Sequence, residues 1–219
     1  MQPIRAVVFD LDGTLLNTLD DLAASVNYAL TVGGYPTRTL DEVRRFVGNG
    51  VRKLVARSLP SDITEQQLEQ TLAVFKTHYT AHQLDATAPY AGIPALLGTL
   101  KDAGVGMAVV SNKLQGAVED LRAHFFADTI TVAIGDQPPR PVKPAADGTL
   151  VALESLGVSP AEALFVGDSD VDVYTAHNAG MPCLAVSWGF RDADCLSAAG
   201  ADFIAATPEE ACRWIMGRV

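Results

Sequence analysis

The largely apolar run Ile4 to Phe9 delivers Asp10-Leu11-Asp12-Gly13-Thr14 into a loop, and this junction constrains the fold more than any other segment. Val7, Val8 and Phe9 are successive β-formers without polar alternation, the pattern of a parallel strand covered on both faces. Open sheets of that kind bind ligands beyond the carboxyl ends of their strands, where these two acids fall. Two carboxylates two residues apart, followed by a glycine and a hydroxyl, read as a site.

The rest of the chain alternates, with one interruption. Residues 17–33 read as a helix with Leu19, Leu22, Ala23, Val26 and Leu30 on one face and Gly33-Gly34 at its end. No strand follows. Helical patterns continue over 40–46, 51–59 and 65–82, so residues 16–84 read as an inserted all-helical unit between two parts of a core, 1–15 and 85–219. From residue 92 the rhythm returns: helix 93–102, strand 105–110 closing on Ser111, then strands near 129–134, 163–166, 183–186 and 202–204. Helices near 114–124, 148–157, 170–179 and 208–216 separate them. Such alternation predicts an α/β fold with a doubly wound, Rossmann-like parallel sheet.

Composition limits the partners. The 219 residues carry 26 acidic against 16 basic side chains, a net charge of -10, so neither nucleic acid nor an anionic membrane is an expected partner, and no protein partner is. An anionic ligand then needs a local cation. Three cysteines without metal-ligand spacing, and a start without a charged-then-apolar leader, read as a cytoplasmic protein. The four histidines share no spacing and receive no role. Met107, Met181 and Met216 read as core, Trp188 as packing beneath the last loop, and Asp20 and Asp21 as the solvent side of their helix.

The strand ends gather chemistry. The first supplies Asp10 and Asp12, the second Ser111-Asn112-Lys113, and a later one Gly167-Asp168-Ser169-Asp170-Val171-Asp172, with Lys143 in the loop before the intervening helix. Clustered carboxylates repel unless protonated or bridged by a cation. A hard divalent ion such as Mg²⁺, held by oxygen ligands, answers that repulsion, and a lysine and a hydroxyl complete the neutralisation of a phosphate. Taken singly, Asp12-Gly13 is also an ordinary turn, Lys143 a solvated charge, and Asp168 to Asp172 an acidic helix start.

Asp10-x-Asp12-Gly13-Thr14, Ser111, Lys143-Pro144 and Gly167-Asp168-x-x-x-Asp172 resemble, in order, the four motifs of the haloacid dehalogenase superfamily. The helical insert, Val47-Gly48-Asn49-Gly50, Lys143 to Gly148, Thr175 to Pro182 and Trp188-Gly189-Phe190-Arg191 are similar to the phosphoglycolate phosphatase group with its small helical cap. The resemblance implies a Mg²⁺-dependent phosphatase of small phosphorylated metabolites. In it Asp10 is nucleophile, Asp12 proton shuttle and Lys143 a third catalytic residue. Asp10, the Asp12 carbonyl and Asp168 hold the metal, Asp172 acting through water or by orienting its neighbours. Ser111, Asn112 and Lys113 bind substrate, while Thr14 binds it or fixes the loop. Gly48, Asn49 and Arg52 in the cap are candidate contacts to the leaving group, or else a helix cap and a surface arginine. Asn17 departs from the family pattern, where an Asp is common. A sugar phosphomutase shares the core chemistry; a signalling receiver domain also gathers acids and a lysine, yet has no place for the insert or for Asp12.

Overall fold

A computed structural model describes residues 2–219. In chain order, β1 (Ala6–Phe9) and the two-residue β2 (Leu16–Asn17) precede four helices, α1 (Leu19–Val32), α2 (Leu40–Phe46), α3 (Val51–Ser58) and α4 (Glu65–His82). After the short β3 (Ala88–Pro89) come α5 (Ile93–Asp102), β4 (Gly106–Leu114), α6 (Gln115–Phe125), β5 (Val132–Asp136), α7 (Asp147–Leu156) and β6 (Ala163–Gly167). The chain closes with α8 (Asp170–Asn178), β7 (Cys183–Val186), α9 (Ala193–Ala198), β8 (Phe203–Ala205) and α10 (Pro208–Met216).

Six strands form a parallel sheet in the order β5-β4-β1-β6-β7-β8. β1 is central, with Phe9 opposite Val109 on one side and Val166 on the other, so the winding direction reverses around it. Its two faces explain its unbroken apolar sequence. Val7 and Phe9 pack with Leu97, Val109 and Val166, while Ala6 and Val8 pack with Ala108, Leu153 and Phe165 on the opposite face. Each large side chain buried this way contributes roughly 1.5–3 kcal/mol.

The insert has its own core of Leu22, Val26, Leu30, Val43, Leu54, Leu72 and Phe75. Thr39 with Glu42, and Thr64 with Gln67, form reciprocal capping boxes that fix where α2 and α4 begin. The fold is thus an α/β core with a helical cap.

Three local expectations fail. β4 runs to Leu114, because a register irregularity after Val110 lets the strand carry Ser111, Asn112 and Lys113 onward to pair Leu114 with Asp136. β2 and β3 form an antiparallel ribbon where the chain leaves and re-enters the core, too short for any periodicity to reveal. Asp21 does not face solvent. It is 3% exposed, and its carboxylate accepts hydrogen bonds from Ala86 N, Thr87 N and Thr87 Oγ1, tying the start of α1 to the returning linker. Removing it leaves buried donors unmatched, so Asp21→Ala should cost about 2–3 kcal/mol in urea unfolding, with Asp21→Asn losing less. An unchanged midpoint would mean that the clamp contributes nothing.

Asn17, the departure from the family pattern, accepts a hydrogen bond from Leu19 N and so helps start α1. Trp188 packs against the core and donates from Nε1 to Thr14 O at 3.0 Å. None of the helices is long and apolar enough to cross a membrane, among the described residues.

Candidate active site

The register of β1 brings the chemistry together. Asp10 follows Phe9 and donates its N–H to Val166 O at 2.8 Å, which sets its side chain between the ends of β4 and β6. Lys143 Nζ lies 2.7 Å from Asp10 Oδ1 and 2.7 Å from Asp172 Oδ1. The other Asp172 oxygen accepts from Ser169 N and Ser169 Oγ. Both Asp172 oxygens therefore accept hydrogen bonds, and the carboxylate holds Lys143 against Asp10.

Asp168 completes the group: Asp10, Asp168 and Asp172 each offer a carboxylate oxygen within 4.8 Å of the others. Thr14 Oγ1 donates to Asp168 Oδ1 at 3.2 Å and Phe190 N to Oδ2 at 2.7 Å, so both oxygens are aimed. Close packing does the rest. Gly13, at φ +91°, and Gly189 lie so near Asp168 that a Cβ at either would overlap its side chain. Thr14, a candidate substrate contact, is fully buried beneath this carboxylate and orients it; it does not line the cavity.

Burial raises the Asp10 pKa to about 7; Lys143 pulls it down, and Asp172 and Asp12 push it up. Asp168 is raised well above the carboxylate range by burial and by Asp10 and Asp172. Burial opposes the charge on Lys143, but Asp10 and Asp172 outweigh it and its pKa rises. One lysine among three acids leaves negative charge uncompensated, which a divalent cation on oxygen ligands would match. Asp10 and Asp168 fit that role, Asp172 less so because Lys143 and Ser169 occupy it.

Asp12 faces differently. Its carboxylate is bridged by Lys113 Nζ at 2.8 and 3.0 Å, and that lysine also lies 4.6 Å from the centre of the Tyr79 ring on α4. Lys113, expected to bind substrate, is thus engaged by Asp12. Ser111 Oγ accepts from Lys113 N at 3.3 Å, and its hydroxyl proton has no acceptor among the described residues. Asn112 is chiefly a brace. Its Oδ1 accepts from Lys143 N at 2.7 Å, and its Nδ2 donates to Lys143 O and across to Gly48 O in the cap.

These groups line a cavity with about 550 Å³ of empty volume, its open mouth included. Leu22, Val47, Val51 and Leu54 of the cap face Asp10, Asp12, Ser111 and Lys143 across it, beside Gly48 and Gly50. Two cap candidates lie elsewhere. Arg52 is on the exposed side of α3, paired with Glu65 and Glu69 of α4, and Asn49 Oδ1 accepts from Arg57. Phe190 and Arg191, in the loop after β7, line the cavity although the sequence singled out neither for a role there. The rule applied to the other strands, that ligands bind at carboxyl ends, would have found them.

A parallel α/β sheet with paired acids, a buried lysine and a hydroxyl at its switch point, under a helical cap, defines a capped phosphohydrolase. Residues 7–186 match the family Haloacid dehalogenase-like hydrolase. A phosphoglycolate phosphatase of Pseudomonas putida is 38% identical over 198 residues, covering 85% of this chain and 71% of that protein. One of Thiobacillus denitrificans is 36% identical over 195 residues, with 86% of each chain covered. The crystal structure of a proposed phosphoglycolate phosphatase from Lactobacillus delbrueckii subsp. bulgaricus superposes with a TM-score of 0.92 at 33% identity, over 98% of this chain and 99% of that one. The chain belongs to the haloacid dehalogenase-like hydrolases, and within them it is a phosphoric monoester hydrolase similar to the phosphoglycolate phosphatases.

Proposed function

We propose that the protein hydrolyses small phosphate monoesters, 2-phosphoglycolate first among them, through an aspartyl-phosphate on Asp10 with Mg²⁺ beside it. The observation that carries this reading is the buried contact of Lys143 with Asp10, within reach of Asp168. Asp10 and Asp168, with the Asp12 main-chain carbonyl, would hold the ion. Bound there, Mg²⁺ would neutralise both carboxylates and the phosphoryl oxygens they face.

Asp10 attacks phosphorus, splitting one difficult displacement into two. Lys143 and the free hydroxyl proton of Ser111 draw phosphoryl oxygens into line. In the first step Asp12, in its acid form, turns from Lys113 and gives its proton to the leaving oxygen. Once it has given up that proton, Asp12 is the base that takes one from the water attacking the phospho-Asp10, and Lys113 is placed to hold it there. The apolar cap wall of Leu22, Val47 and Leu54 keeps stray water from the intermediate. Three unpaired cysteines agree with a cytoplasmic setting.

The test is a panel of small phosphoesters assayed with Mg²⁺, with a hexose monophosphate plus its bisphosphate included. Phosphate release, fastest from 2-phosphoglycolate, is expected. Isomerisation of the hexose phosphate without phosphate release would replace the reading with a sugar phosphomutase.

A further inference from the structure

We propose that Arg191 and the first turn of α3 form a subsite for a carboxylate on the leaving group, an inference that rests on the phosphatase reading of the cavity. Three cationic side chains line that cavity: Lys113, Lys143 and Arg191. Two are already answered, Lys143 by Asp10 and Asp172, and Lys113 by Asp12. Arg191 is in no ion pair among the described residues. Its guanidinium bonds only neutral main-chain oxygens at the end of α2: Nη1 donates to Arg44 O at 3.1 Å, and Nη2 to Val47 O at 2.7 Å and Arg45 O at 3.5 Å. Those contacts fix the fork in place and leave its charge unspent. Nε–H and one Nη1–H have no acceptor among the described residues.

Its position suits a short substrate. The preceding residue, Phe190, grips Asp168 through its N–H, so the side chain that reads the cap begins one residue after the one that contacts a proposed metal ligand. Gly48 borders the guanidinium: a Cβ there would lie 3.6 Å from Nη2. Next to it, Gly50, at φ +88°, precedes α3 and supplies no capping side chain, and Gly50 and Val51 both line the cavity. The uncapped N–H groups of that turn add positive potential on the same side. On the cap side the other side chains that line the cavity, Leu22, Val47, Val51 and Leu54, are apolar, so a carboxylate entering there has few other partners, and in a chain of net charge -10 the local cation decides whether an anion is admitted. Arg191 also joins core to cap, so the carboxylate and cap closure would reinforce each other.

The experiment compares kcat/KM for 2-phosphoglycolate and for ethyl phosphate, whose leaving group is uncharged, in wild type, Arg191→Met and Arg191→Lys. Arg191→Met should lower the ratio of the two by about 10- to 100-fold, with Arg191→Lys between. An equal fall on both esters would overturn the subsite and leave Arg191 only a cap contact. Equilibrium binding of both esters to the Asp10→Asn protein, with and without Arg191→Met, reads the subsite without turnover. No preference for the carboxylate ester there overturns it. A preference that Arg191→Met abolishes, in a protein whose wild type hydrolyses neither ester, supports the subsite and overturns the phosphatase reading.

Discussion

Asp10→Asn should lower kcat by at least about 10⁴-fold while leaving the fold intact. Loss of a covalent nucleophile is expected to cost this much, because the surrounding groups retain only what positioning and electrostatics supply without it. The substitution is nearly isosteric, and Lys143 keeps its 2.7 Å contact with Asp172. Burial already disfavours the charged form of Asp10, so a neutral amide there should not destabilise the metal-free protein at pH 8. Phosphate-release assays on purified protein, with thermal unfolding alongside, separate the two effects. Substantial turnover in the variant would remove Asp10 from the covalent role.

Chelation of divalent cations should suppress turnover by about 10³-fold, reversibly on adding Mg²⁺, since a metal at a phosphoryl centre supplies several kcal/mol of charge stabilisation. The same site predicts a stability signature independent of activity. Asp10 in the metal-free protein holds its proton up to about pH 7, whereas an ordinary aspartate in the unfolded chain releases it near 3.8. Between those values the native state binds more protons than the unfolded state, so stability falls as pH rises. The loss is at most about 4 kcal/mol, because a tenfold change in proton affinity is worth about 1.36 kcal/mol. A cation replaces the proton, so its stabilising effect should grow from pH 5 to pH 8. At a hundredfold excess over its dissociation constant it adds about 2.7 kcal/mol. Unfolding midpoints measured with EDTA and with Mg²⁺ across that range check the sign. A metal effect that shrinks with rising pH would place the ion elsewhere.

How much of this was legible in the sequence follows from what kind of contact each residue makes. β1 could be read because burial on both faces requires every residue from Ala6 to Phe9 to be apolar, and Asp10 because a charge ending such a strand must face its ligand edge. The sheet rule also gathered Ser111, Lys143 and Asp168. It did not say which charges would pair. Lys113 and Asp12 are 101 residues apart, and only the side-by-side packing of β1 and β4 brings them to 2.8 Å.

The cap shows the opposite limit. Helical periodicity found α2, α3 and α4, yet it does not say which face of α3 looks across at the core, so Arg52 was a candidate until its pairing with Glu65 and Glu69 turned it outward. Asp21 reversed for a similar reason: its partners, Ala86 and Thr87, lie in a linker with no pattern of its own. Thr14 sits in a recognisable motif, but its role beneath Asp168 depends on Gly13 allowing the two segments to touch.

The central claim is that Asp10 carries the phosphoryl group during turnover. Rapid acid quench of the Mg²⁺-loaded protein with 2-phosphoglycolate, followed by peptide mass analysis, tests it directly. A single phosphoryl group is expected on the peptide containing Asp10, labile to hydroxylamine and absent from Asp10→Asn protein. Phosphate release at full rate with no phosphorylated Asp10 peptide at any quench time, or with the label on another residue, would contradict it.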